Sequence, residues 1–103
     1  MLRFETISPR EIDRYIYNKR ALIIDVRNEN EYSKAHIENA INIPFEKLEK
    51  DYSKMPKDLI LILYCERGGT SLLAAKELFD RGYVVKALIG GMAGYKGEHI
   101  VSE

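Results

Sequence analysis

Leu59-Ile60-Leu61-Ile62-Leu63-Tyr64 runs into Cys65-Glu66-Arg67-Gly68-Gly69-Thr70-Ser71, and then into Leu72-Leu73-Ala74-Ala75-Lys76-Glu77-Leu78-Phe79. The first segment is an unbroken apolar run of strand length, the pattern of a strand covered on both faces. The last changes period: Leu72, Ala75 and Leu78 with Phe79 fall on one helical face and the charges on the other. Gly82 is placed to end that helix, and Tyr83-Val84-Val85-Lys86-Ala87-Leu88 supplies the next strand candidate. Strand, helix and strand in this order imply a right-handed crossover between parallel strands. The expected fold class is α/β, with a central parallel sheet flanked by helices on both faces.

Toward the N-terminus, Ala21-Leu22-Ile23-Ile24-Asp25-Val26 repeats the buried-strand pattern, and Phe4-Glu5-Thr6-Ile7 alternates as an edge strand does. Ser8-Pro9-Arg10-Glu11 carries a hydroxyl cap, a proline in the first turn and a glutamate three residues on, so a helix is predicted from Ser8. Ile12, Tyr15, Ile16 and the stem of Lys19 share its inner side. Residues 28–34 read as a short helix, Ile41-Asn42-Ile43 as a short strand and Pro44 to Lys50 as another helix. The region around Pro56 reads as a surface loop, and Gly90-Gly91, Gly94 and Gly97 make the C-terminal part turn-rich.

The chain has 103 residues, 46% hydrophobic and 31% charged, which suits one domain, residues 1–103, and excludes a disordered tail. Sixteen Lys+Arg balance sixteen Asp+Glu, so the basic excess that drives nonspecific nucleic-acid binding is missing, and no nucleic-acid partner is expected. No apolar run approaches the roughly 20 residues of a membrane span. Met1-Leu2-Arg3-Phe4-Glu5 lacks the apolar core of a signal peptide, so a cytoplasmic address without membrane contact is expected. The chain's one cysteine can form neither an internal disulfide nor a cysteine-rich metal site, so Cys65 is either a packed thiol or a reactive one.

Cys65 leaves the carboxyl end of an apolar strand, where open α/β sheets bind ligands. Gly68 and Gly69 let the backbone fold back so that several N–H groups converge, reinforced by the following helix N-terminus. Such a nest holds negative charge and raises the thiolate fraction of a cysteine whose ordinary pKa is about 8.5. Arg67 either adds a planar donor set for an oxyanion or faces solvent. Glu66 opposes an anion unless it points outward. Thr70 and Ser71 either donate to a ligand or cap the helix.

With that loop, the chain resembles the rhodanese family over about Thr6 to Gly97, specifically its single-domain sulfurtransferases. Leu22 to Arg27, Glu31-Tyr32 and Ala35-His36-Ile37-Glu38-Asn39-Ala40-Ile41-Asn42-Ile43-Pro44 look like the family's first signature. Leu88-Ile89-Gly90-Gly91-Met92-Ala93-Gly94-Tyr95 looks like its C-terminal one. Two departures stand out. Ala35 and Asn39 replace common glycines, Asn being the ordinary residue that best tolerates left-handed backbone. Met92 and Tyr95 stand where tryptophans are frequent, a change expected to reshape the pocket wall.

The resemblance implies a rhodanese-like fold and an active loop, Cys65 to Thr70, in which Cys65 is the catalytic residue and accepts sulfane sulfur as a persulfide. Glu66, Arg67, Gly68, Gly69, Thr70 and Ser71 are the expected substrate-binding set, with Asp25 and Arg27 structural beside it. Asp25 is expected to satisfy loop N–H groups and Arg27 to pair with Glu29 or Glu31. Phosphatases of this fold carry arginine six positions after cysteine, where this chain has Ser71. His36 falls in a scaffold turn and His99 in a frayed tail, so neither is expected as general base, and neither metal nor cofactor is expected. The implied activity moves sulfur from thiosulfate or a similar small-molecule donor to cyanide or a thiol, with a sulfur-accepting protein as a further partner. The alternative is a noncatalytic sulfur carrier or a regulatory protein-binding module.

Overall fold

A computed structural model describes residues 4–103; Met1–Arg3, part of the segment read as lacking a signal peptide, lie outside the described residues. The edge strand β1 is Glu5–Ile7. A 3-10 helix over Glu11–Tyr15 follows, then β2 (Ala21–Asp25), α1 (Glu29–Lys34), β3 (His36–Ile37), β4 (Ile41–Asn42) and α2 (Phe45–Lys50). After a 3-10 turn over Tyr52–Lys54 come β5 (Ile60–Tyr64), α3 (Gly69–Asp80), β6 (Val85–Leu88), α4 (Gly91–Gly94) and β7 (Ile100–Val101). Five strands form one parallel sheet in the order β1-β6-β5-β2-β4, and β3 pairs antiparallel with β7 in a separate two-stranded ladder. This is the α/β architecture with a central parallel sheet that the hydrophobic runs predict.

The apolar runs are covered on both faces, as continuous rather than alternating hydrophobicity requires. On one face Ile24, Leu61, Leu63, Val85 and Ala87 meet Ala74, Ala75 and Leu78 of α3, Leu48 of α2 and Tyr52. On the other, Ile7, Ile23, Ile62 and Tyr64 meet Ile12 of the first 3-10 helix and Ile16 just past its end, with Ile37 and Tyr95. Each fully buried Leu or Ile contributes roughly 2 kcal/mol.

Several predicted boundaries move. The reciprocal box at Ser8 forms, with Ser8 N–H donating to Glu11 Oε1 at 3.1 Å and Glu11 N–H to Ser8 Oγ at 3.3 Å. The helix it opens is a short 3-10 segment beginning at Glu11 rather than an α-helix from Ser8, and Lys19 lies beyond it, exposed. Ile12 within that span and Ile16 just after it are both buried, so no further helical turn gains apolar contact. Conversely, α3 starts three residues before Leu72, at Gly69. Its end is as predicted: Gly82 has φ +92°, its N–H donates to Phe79 O and Tyr83 N–H donates to Leu78 O. Tyr83 and Val84 precede β6, although Val84 O accepts from Leu61 N–H at 2.9 Å; the Tyr83 hydroxyl donates to Tyr52 O.

The tail is anchored rather than frayed. Glu38 N–H donates to His99 O at 2.8 Å, and His99 Nδ1 lies 3.1 Å from Glu38 Oε1. His36 sits in β3, buried and stacked on Tyr32, with Nδ1 2.7 Å from Tyr32 O. Asn39 takes φ +69°, the left-handed turn its side chain tolerates.

Candidate active site

β5 ends at Tyr64, and the chain then turns through Cys65 to Gly68 before entering α3. Gly68 has φ +107° at the helix N-cap, a conformation that suits glycine, and a Cβ there would approach Gly90 N at 3.3 Å. The turn folds N–H groups onto the cysteine sulfur. Gly68 N–H donates to Cys65 Sγ at 3.0 Å and Ser71 N–H at 3.4 Å, while Ser71 Oγ lies 3.4 Å from the sulfur. Burial pushes the thiol pKa up, but the Ser71 hydroxyl and the N–H groups of Ser71, Gly68 and Arg67 outweigh it and hold the pKa below the ordinary thiol value. No described residue accepts from the N–H groups of Gly69 and Thr70, which lie at the positive end of α3.

A shallow cavity opens over this loop, walled by Val26, Arg27, Glu31, Glu66, Arg67, Gly69 and Thr70 around Cys65. Cys65 is 6% exposed, so a reactant must enter the cavity to reach its thiol. Arg67 is exposed at the rim and also lines the cavity, combining the two orientations open from sequence. Thr70 is exposed at the rim, while Ser71 is fully buried against the sulfur. Neither hydroxyl caps α3: Gly68 occupies the N-cap, and the Ser71 hydroxyl donates to Gly68 O at 3.1 Å. Met92 and Tyr95 stand outside the wall; Tyr95 instead donates to Asp13 Oδ1 at 2.7 Å.

Behind the loop, Asp25 is fully buried and Arg27 nearly so. Asp25 Oδ1 accepts from Arg27 N–H at 2.9 Å, the loop-satisfying role expected of it. The partner of Arg27 differs from expectation. Its Nε and Nη2 grip Asp25, Nη2 also donates to Ala35 O at 2.6 Å, and Nη1 reaches Glu66 Oε1 at 3.1 Å. Glu29 and Glu31 take no part, because the guanidinium lies inward against Asp25, whose burial without a counter-charge would cost several kcal/mol. Burial of the ring and the charge of Asp25 push the Tyr64 phenol far up, so it stays neutral and accepts from Ile37 N–H at 3.0 Å.

Two contributions went unseen in the sequence. Met92 N–H donates to Cys65 O at 2.8 Å and Ala93 N–H to Glu66 O at 2.9 Å, so α4 holds the loop from below. The adjacent glycines Gly90 and Gly91, both at positive φ, are the signal that marked this segment as a special turn. Glu31 of the cavity wall carried no signal beyond its charge. Among the described residues, no three His, Cys, Asp or Glu side chains converge on a metal-sized site, and no helix is long and apolar enough to cross a membrane.

One cysteine in an N–H-lined loop at the carboxyl edge of a parallel sheet defines a class of α/β domains that handle anionic or sulfur groups. The chain belongs to the rhodanese-like domain family, which matches it over residues 8–98. It is 30% identical over 103 residues to thiosulfate sulfurtransferase GlpE of Coxiella burnetii, covering 99% of this chain and 96% of that protein. It is 38% identical over 76 residues to a tRNA sulfurtransferase of Desulfurococcus amylolyticus, covering 74% of this chain but 15% of that one. Among solved structures, a rhodanese-related protein from Thermoplasma volcanium superposes with a TM-score of 0.84 at 26% identity, covering 97% of this chain and 100% of the other.

Proposed function

We propose that this chain, read as one rhodanese-like unit over residues 1–103, is a sulfurtransferase that carries sulfane sulfur on Cys65. The observation that carries the reading is the convergence of the Gly68 and Ser71 N–H groups on Cys65 Sγ at the floor of a cavity. The resemblance to GlpE, a thiosulfate sulfurtransferase, over nearly the full length of both chains supports it. The Cys65 thiolate attacks the outer sulfur of thiosulfate or a similar donor. Its electron pair forms the new S–S bond, and the pair of the broken S–S bond leaves with sulfite. The persulfide's outer sulfur is then attacked by cyanide or a thiolate, which returns Cys65 as thiolate. The N–H groups of Gly69 and Thr70 are positioned to hold the charge that moves through these steps, and Arg67 and Thr70 meet the donor at the rim. Asp25 and Arg27 brace the loop.

With one cysteine in the chain, the persulfide has no internal resolving thiol, so turnover requires an external small molecule or a sulfur-accepting protein. Intact-mass measurement after incubation with thiosulfate is expected to reveal one added sulfur atom in the wild type and none in Cys65→Ser. A protein whose thiol is free and reduced but gains no sulfur from thiosulfate or from a second sulfane donor such as methanethiosulfonate would overturn the reading.

A further inference from the structure

The charge around the Cys65 cavity is uneven, and a single ion pair explains why. Arg27 is the buried cation of the wall, and each nitrogen of its guanidinium is engaged by protein, by Asp25, Ala35 O and Glu66. Asp25 already neutralises Arg27. Glu66 therefore brings a further negative charge to the residue beside the sulfur, on a side chain 45% exposed to the cavity mouth. Glu31 adds a second in the same wall, and Arg67 is the wall's other cation. These five groups leave one negative charge in excess around a thiol that itself reacts as an anion. An entering dianion meets Glu66 where Arg27 would otherwise have offered Nη1.

We infer that Glu66 is a specificity-determining residue that sets this site against dianionic sulfur donors and toward sulfane donors carrying at most one negative charge. The inference rests on the sulfurtransferase reading and refines its donor. Thiosulfate and methanethiosulfonate make a matched pair, because both present a terminal sulfane sulfur on a sulfonyl sulfur and differ by one charge. In each case Cys65 forms the new S–S bond and the sulfonyl bond breaks, its electron pair leaving with sulfite or with methanesulfinate. Coulomb repulsion scales with the product of charges, so its effect on the logarithm of the rate is twice as large for the dianion.

Glu66→Gln keeps an oxygen for Arg27 Nη1 and removes the charge. The second-order rate of sulfur gain, followed by intact mass at low ionic strength, is expected to rise about tenfold with thiosulfate and about threefold with methanethiosulfonate. Added salt should narrow the difference between variant and wild type. Glu66→Asp keeps the charge while shortening the reach to Arg27, and should retain the wild-type preference. An equal gain with both donors in Glu66→Gln marks a change in the thiol itself and overturns the inference, as does an unchanged ratio or a Glu66→Asp protein that behaves like Glu66→Gln. If neither donor loads the wild type, the sulfurtransferase reading falls and this inference with it; if a donor loads and the ratio stays fixed, only this inference falls.

Discussion

Ser71 stands beside the sulfur with a hydroxyl that has two uses. With Cys65 protonated, the thiol points at Ser71 Oγ and the Ser71 hydroxyl donates to Gly68 O. On ionisation the same hydroxyl can turn its hydrogen to the thiolate, adding a donor to the N–H groups already in place. Burial opposes this ionisation, and the Ser71 hydroxyl heads the contributions that favour it. Because the thiolate is the nucleophile, alkylation or sulfur loading of Cys65 should rise with pH through a midpoint below that of an ordinary thiol and level off above it. In Ser71→Ala the midpoint is expected to climb, leaving less thiolate at neutral pH. Iodoacetamide kinetics across pH measure this, and an unmoved midpoint would assign the whole effect to the N–H groups.

At the scale of elements, the loop depends on α4 as much as on β5 and α3. Gly91 has φ +59°, and a Cβ there would collide with Cys65 O and come within 2.7 Å of the Glu66 carbonyl. Gly91→Ala is expected to cost about 2–3 kcal/mol in denaturant unfolding and to slow sulfur loading, since relief requires the loop to shift. Gly69→Ala is the contrast. Its Cβ meets nothing within 4 Å, in the first turn of α3, and it should be neutral or stabilising by about 0.5 kcal/mol. The two glycines look alike in sequence. β2, β5, α3 and the glycine stop at Gly82 were legible because each is signalled by its own residues. The α4 contacts were not, because Met92 and Ala93 act through backbone N–H groups that carry no side-chain signature. The Arg27–Glu66 pair joins residues 39 positions apart, which no local spacing reveals. Ser8 and Glu11 announced a helix start correctly, but its length was decided by how soon Ile12 and Ile16 reached the core.

On the scale of the whole molecule, the chain is closed by its last residues. β7 pairs with β3, His99 joins Glu38, and the Tyr95 hydroxyl donates to Asp13 while accepting from His99 N–H. Burial and the bond to Asp13 push the Tyr95 phenol up to about 12, so this contact persists across the neutral range. Removing residues 99–103 leaves the backbone of β3 without its ladder, and should cost about 1–2 kcal/mol, lowering the unfolding temperature by about 5–10 °C. A thermal scan of the truncated chain checks it. The support that Met92 and Ala93 give to Cys65 O and Glu66 O also has a consequence in time. Cys65 emerges from the ribosome ahead of Met92 and Ala93, whose N–H groups hold its loop. The nascent thiol therefore meets oxidants and sulfur donors with the ordinary reactivity of an unfolded chain, and acquires its lowered pKa only when the C-terminal turn arrives to complete the cradle.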